Sequence, residues 1–334
     1  MHFRLYALRF QFAAQGRLEF RAGQAVNLVR GGLGAALRKT SCPSACLSPD
    51  NCPQHLPEKS PGQPSACPYH RLFEPRANGS GPSGLADWPR PFVLRAAHLE
   101  GATIAEGAFF HIGVHLFDLR PGAVPALEAA LARWGRDGLG PERTAAMLSN
   151  VEGATQPLEL MLDSSADPVS RITVRFLTPT ELKGPWGGPP EPQGGIRRGL
   201  QPGRRAPQRL AAGAGLPPFE LLAVRIRDRL STLRALYGEG ALPIDFRGFA
   251  ERAARVRTVG GAVREVAVQR RSRRTGQTHS LGGFIGEVEY EGDLAEFLPY
   301  LRAAAFTGVG RHTVWGKGEI HVVGRVNCRV DGVD

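Results

Sequence analysis

No stretch of this 334-residue chain holds 18 consecutive apolar residues, so the sequence offers no segment able to span a bilayer as a helix. Its opening, Met1 to Tyr6, lacks the apolar core of a secretory signal, and the expectation is a cytoplasmic chain. Cysteine is scarce: the five present are then expected to be thiols or metal ligands and not disulfides. A dinucleotide fingerprint is missing too, because Gly32-Leu33-Gly34 has no third glycine, which excludes a Rossmann reading. Acidic residues are in deficit, 31 Asp and Glu against 42 Lys and Arg, and the resulting net charge of +11 makes a polyanion the default partner through counterion release.

The charge is uneven. From Arg252 to Arg274 there are eight arginines and one acid, Glu265, a density that suits a surface tracking phosphates. Four of the five cysteines, Cys42, Cys46, Cys52 and Cys67, form the pattern C-x3-C-x5-C-x14-C among prolines and polar residues. Four thiolates so close suit a tetrahedral structural zinc site, with His55 or His70 able to replace one ligand. An iron–sulfur cluster would use the same thiolates, and a metal-free cluster is the third alternative.

Near the C-terminus, Gly308-Val309-Gly310-Arg311-His312-Thr313-Val314-Trp315-Gly316-Lys317-Gly318 interleaves glycines with cations, a histidine and a tryptophan. Glycine permits positive φ and close approach of main-chain N–H groups to a phosphate, while Arg311 and Lys317 bring charge and Trp315 a stacking face. The alternative is a plain hairpin with glycine turns.

Periodicity gives the fold. Leu8, Phe10 and Phe12 alternate in a first strand, then Val26, Val29, Leu33 and Leu37 recur at helical spacing despite Gly31, Gly32 and Gly34. Each of those glycines costs about 1 kcal/mol in a helix, which implies close packing or close approach of a ligand. Phe110, Ile112, Val114 and Leu116 mark another strand, whose His111 and His115, roughly 13 Å apart, are too far separated to chelate one metal. A helix over Val124 to Arg136 and a strand near Leu158 to Leu162 follow. The pattern restarts with a strand at Ile172 to Phe176, a helix through Leu222 to Leu233, a strand at Phe284 to Tyr290, and a last helix that has an Asp293–Glu296 capping box and that Pro299 should kink or shorten. The fold class is therefore α+β: two tandem ferredoxin-like (βαββαβ) domains, 1–165 and 166–334. The first carries a cysteine-rich insertion at about 40–90, and the second a disordered basic insertion at about 184–216 and the glycine-rich loop 308–318.

At this point the chain resembles a known family. Arg271-Ser272-Arg273-Arg274-Thr275-Gly276-Gln277, Leu281-Gly282-Gly283-Phe284-Ile285-Gly286 and Gly308 to Gly318 are similar to the C-terminal half of the CRISPR repeat-RNA endoribonucleases of the RAMP (repeat-associated mysterious protein) superfamily. Leu28 to Arg38 resembles their first helix, and Cys67-Pro68-Tyr69-His70-Arg71-Leu72-Phe73-Glu74-Pro75 a subset of them. The resemblance implies a metal-independent cut in each CRISPR repeat, with 2′-hydroxyl attack leaving a 2′,3′-cyclic phosphate and a 5′-hydroxyl. It implies CRISPR repeat RNA as partner, with other CRISPR effector subunits beside it, and RNA contacts by Arg30, Arg38, Arg271, Arg273, Arg274, Gly308, Gly310, Arg311, Gly316, Lys317 and Gly318. The family commonly places a histidine on or just after the first helix, but none lies between Val26 and Lys39. The candidates for proton transfer are then His70 and His312, with His279 behind them, and Lys39, Arg38 or Lys317 for charge stabilisation or, as the alternative, in place of histidine in a slower arginine and lysine active site. The alternative implied by the missing histidine is an inactive RNA-binding subunit of a CRISPR effector complex.

Overall fold

The alternation at the start of the chain turns one strand face inward. In the computed structural model, which describes residues 1–41, 67–75, 88–184, 210–211, 215–271 and 278–323, Leu8, Phe10 and Phe12 are all at most 2% exposed. Each such side chain contributes roughly 1.5–3 kcal/mol of burial free energy.

The first half runs β1 (His2–Ala14), the short β2 (Leu18–Glu19), α1 (Ala25–Ser41), α2 (Pro68–Leu72), β3 (Phe92–Arg95), the short β4 (Thr103–Ile104), β5 (Phe109–Leu116), α3 (Ala123–Asp137), β6 (Ala146–Glu152) and β7 (Leu158–Met161). The second half runs β8 (Arg171–Thr180), β9 (Leu210–Ala211), α4 (Phe219–Tyr237), α5 (Phe246–Ala253), β10 (Arg257–Val266), β11 (Gln269–Arg271), β12 (Thr278–Ser280), β13 (Gly283–Glu291), α6 (Leu298–Thr307) and β14 (Ile320–Val323). The strand orders β3-β5-β1-β6 and β14-β8-β13-β10, antiparallel throughout, are those of two ferredoxin-like sheets. Helices α1 and α3 cover one face of the first sheet, and α4 and α6 pack together in the second half.

Several local expectations change. The strand expected at Leu158 to Leu162 is β7, which pairs only with the first residues of β1, whereas the edge position of the first sheet belongs to β6. The Asp293–Glu296 capping box is not made: α6 begins at Leu298 with Pro299 in its first turn, where a missing N–H costs nothing, and Glu296 instead binds Arg252. Two of the three helix glycines serve packing, since a Cβ on Gly32 would strike the Trp134 ring and one on Gly34 the Phe73 ring, whereas nothing lies within 4 Å of one on Gly31. The basic insertion lies outside the described residues except at its edges and β9. Among the described residues no helix is long and apolar enough to cross a membrane.

Candidate nucleic-acid interface

The glycine-rich loop does not stand free as a hairpin. It leaves α6, lies against the first half and returns as β14, and its Val314 is buried in the first half's core, the cluster that also holds Leu33 and Leu94. A short 3-10 turn, Thr313–Trp315, packs on β3 and α1. Gly316 sits at φ 67°, and a Cβ there would lie 2.7 Å from the Leu94 carbonyl oxygen, so both its backbone and its neighbour call for glycine.

Main-chain donors of the loop are turned inward. Val309 N–H donates to Gly318 O, Arg311 N–H to Glu181 O, Trp315 N–H to His312 O, Gly316 N–H to Thr313 O and Gly318 N–H to Pro179 O. Those five groups hold the loop together. Arg311 is exposed and binds the Glu181 carboxylate at 2.8 Å. His312, at φ 61°, is a non-glycine residue in the left-handed region, a strain that packed sites tolerate for function. Its Nε2 is 3.8 Å from the second Glu181 oxygen and its ring meets Trp315 edge-on. Lys317 is half-buried, and burial lowers its pKa, with Glu100 acting in the opposite direction.

Helix α1 supplies the facing wall. The Arg30 guanidinium lies over the Trp315 ring at 4.3 Å and over the Phe73 ring at 4.9 Å, tying the loop, α1 and the residue after α2 together. Arg38 is half-buried further along the helix near Tyr69. Lys39 is 53% exposed and bonds Asp137 at 2.7 Å, which fastens the end of α1 to α3.

His70 has a different surrounding. It is 1% exposed and edge-on to Tyr69 in α2, so its ring is enclosed in this conformation. Arg71 anchors this short helix through the fully buried Asp118, at 2.5 Å and 3.0 Å. Cys67 is buried at the start of α2, while Cys42, Cys46 and Cys52 lie outside the described residues, among which no metal-holding group of His, Cys, Asp or Glu occurs. Of the arginine-rich stretch, Arg271 is in β11, Arg273 and Arg274 fall outside the described residues, and His279 is in β12. Two other arginines of that stripe are already paired, Arg252 with Glu296 and Arg257 with Glu291.

Sequence reasoning missed the groups that hold the loop's entry. The last carbonyls of α6 accept from both halves: Ala305 O from Arg95 Nη2 at 2.6 Å, Phe306 O from His115 Nδ1 at 2.8 Å, and Thr307 O from Arg229 Nε at 2.8 Å. Positive groups at a helix C-terminus offset its partial negative charge. Arg95 also pairs with Glu319 at 3.3 Å, just beyond the loop. Burial, with Arg95 nearby, lowers the Arg229 pKa to about 10, and burial beside Arg95 lowers that of His115 to about 4. The signal was present in the two-residue alternation of β5, which sets His115 on the face opposite the core.

Residues 174–320 match the family model described as CRISPR-associated endoribonuclease Cas6, and residues 3–171 match one described as an N-terminal domain. Among solved structures, a Cas6 product complex is similar at 20% identity and a TM-score of 0.51, covering 96% of this chain and 100% of that one. The Thermus thermophilus Cas6 is 17% identical with a TM-score of 0.46, covering 97% of this chain and 99% of that one. A partial Cas6-RT-Cas1–Cas2 complex gives 12% identity and a TM-score of 0.51, over 97% of this chain and 47% of that one. No curated protein matches the chain in sequence.

Proposed function

The chain belongs to the Cas6 family of CRISPR-associated endoribonucleases, enzymes that process CRISPR precursor RNA, and from that membership we propose that it cuts each repeat without a metal ion. The 2′-oxygen attacks the adjacent phosphorus as the bond from phosphorus to the 5′-oxygen breaks, leaving a 2′,3′-cyclic phosphate and a 5′-hydroxyl. One proton leaves the 2′-hydroxyl and one reaches the departing oxygen.

The observation that carries this reading is the seat of the glycine-rich loop against α1, with Arg30 stacked on Trp315. It gathers His312, backed by Glu181, with Arg311 and Lys317 at the seam between the halves. His312 is the proposed proton-transfer group, suited to the task near neutral pH, and the two cations are proposed to stabilise the phosphorane charge. In this reading His312 makes one of the two proton transfers, water makes the other, and the two cations meet the charge requirement. Arg30 and Arg38 on α1, and Arg271, Arg273 and Arg274 beyond β10, are proposed to extend the RNA contact. The four cysteines are proposed to hold a structural zinc, which near-stoichiometric zinc in the purified chain would support and its absence would overturn.

Incubating the chain with an end-labelled repeat RNA in EDTA tests the reading. A discrete cut with a cyclic phosphate end is expected, together with a loss of roughly 100-fold in single-turnover rate for His312→Ala at retained RNA affinity. Restoration of cleavage only by added divalent metal would overturn the metal-independent chemistry, and an unchanged rate would remove His312 from it.

A further inference from the structure

The first sheet has a face that its helices leave uncovered. Register pairing sets Phe109, Ala13 and Met147 in one row across β5, β1 and β6, then His111, Gln11 and Asn150, then Gly113, Arg9 and Glu152. Their neighbours along the strands, among them Phe10, Phe12, Phe110 and Ile112, point to the core and are at most 5% exposed. Phe109 is 62% and Met147 59% exposed, an unusual cost for large apolar side chains that folding alone does not require.

The rings on this face are prepared for contact. His98 stacks on His111 with centroids 4.1 Å apart and planes 14° from parallel. His98 Nε2 donates to the His111 carbonyl at 3.0 Å, and Arg9 Nη2 donates to His111 Nδ1 at 3.3 Å, so the imidazole is fixed in orientation. Phe109 and His111 are two residues apart on one strand face, roughly 7 Å, a spacing that successive unstacked bases can match.

We propose that this open face, centred on Phe109, Arg9 and the His98–His111 stack, is a stacking platform for a single-stranded stretch of the RNA that the enzyme processes. The proposal rests on the RNA-processing reading above and assigns it a surface apart from the glycine-rich loop. Three features favour RNA over a protein partner. Phe109 and His111 lie on β5, a central strand of a ferredoxin-like sheet, with the hydrogen-bonding groups of Arg9, Gln11 and Asn150 on the strands beside it, which suits bases more than an aliphatic surface. The chain carries +11, so phosphates are drawn to it. The face is also continuous with the seam between the halves: further along β5, His115 binds Phe306 O, and Arg95, paired with Gly113, reaches Ala305 O and Glu319 on either side of the loop.

The test uses the full chain and a fluorescein-labelled single-stranded uridine decamer carrying a central 4-thiouridine. Anisotropy should show binding weakened about 5-fold or more by Phe109→Ala and by His111→Ala, the scale of one lost base stack, while His111→Phe keeps the affinity because it keeps a ring. Photocross-linked peptides should contain Phe109 or His111. Unchanged affinity in the alanine variants with cross-links elsewhere would overturn the platform. So would variants that split a dimer of the chain while binding the decamer normally, since the face would then be a protein contact. Decamer binding is read without cleavage, so failure of the catalytic proposal and failure of this one are separately visible.

Discussion

The guanidinium of Arg30 lies 4.3 Å from the centre of the Trp315 ring, joining the first helix of one half to the glycine-rich loop of the other. Such a contact, partly desolvated, is worth roughly 0.5–2 kcal/mol. Urea unfolding of Arg30→Ala, Trp315→Ala and the double variant is expected to give a coupling energy of about 1 kcal/mol, and repeat-RNA cleavage should fall in each. Additive effects in the cycle would show that the stack contributes only area.

Glycines of the two segments predict opposite outcomes. Gly31→Ala, on the exposed side of α1 with nothing within 4 Å of a built Cβ, should stabilise the chain by about 1 kcal/mol. Gly316→Ala places a Cβ 2.7 Å from the Leu94 oxygen at a φ of 67° and should cost roughly 2 kcal/mol or more. Thermal unfolding of both variants compares them directly.

Acid should loosen the junction through His115. Burial beside Arg95 lowers its pKa from 6.5 to about 4, so the folded chain keeps the ring neutral where an unfolded chain protonates it. Between those pH values the unfolded state binds more protons, and stability falls as pH drops from 6.5 to about 4, by a total on the order of 3 kcal/mol. Denaturation at several pH values should show that slope reduced in His115→Gln. An equal slope in the variant would assign the pH dependence to other groups.

Asp118 is fully buried between two guanidinium groups, Arg71 of α2 and Arg120. Burial raises its pKa, but hydrogen bonds and charge from Arg120 and Arg71 more than offset this, holding it below the usual carboxylate value. Asp118→Ala leaves those cations without their counter-charge and should destabilise the chain by about 3–5 kcal/mol. Limited proteolysis should then cut first near α2, and cutting elsewhere first would place the anchor of that helix outside this ion pair.

Strong periodic patterns made much of the fold legible. Leu8, Phe10 and Phe12 and the heptad-like leucines of α4 are governed by one buried face each, and periodicity reports that directly. Strand β6 escaped because its outer residues, Met147, Ser149, Asn150 and Glu152, are exposed at the sheet edge and blur its alternation. Strand β10 escaped because its arginines suggested a charged surface, whereas a Cβ on its Gly261 would press on the neighbouring strand at Glu287 and Val288. At the candidate site, the composition of the glycine-rich loop announced cations and positive φ, and both are there. Its burial against α1 was not legible, because the contact of Val314 and Trp315 with Arg30 and Leu94 is created by the packing of two sheets and leaves no local pattern. The same holds for Arg95, His115 and Arg229, which converge on α6 from three elements.

Strand β1 belongs to two interiors at once: Leu8, Phe10 and Phe12 lie in the core of the first half, while Phe3 and Leu5 lie in the core that α4 and α6 build. During synthesis those two leading side chains share that core with Val93, Phe117 and Leu162 of the first half, but it stays incomplete until the ribosome has made α4 and α6. The halves are thus interlocked by the order of manufacture, and a fragment ending near residue 165 would carry a sticky, half-covered first strand in place of an independent domain.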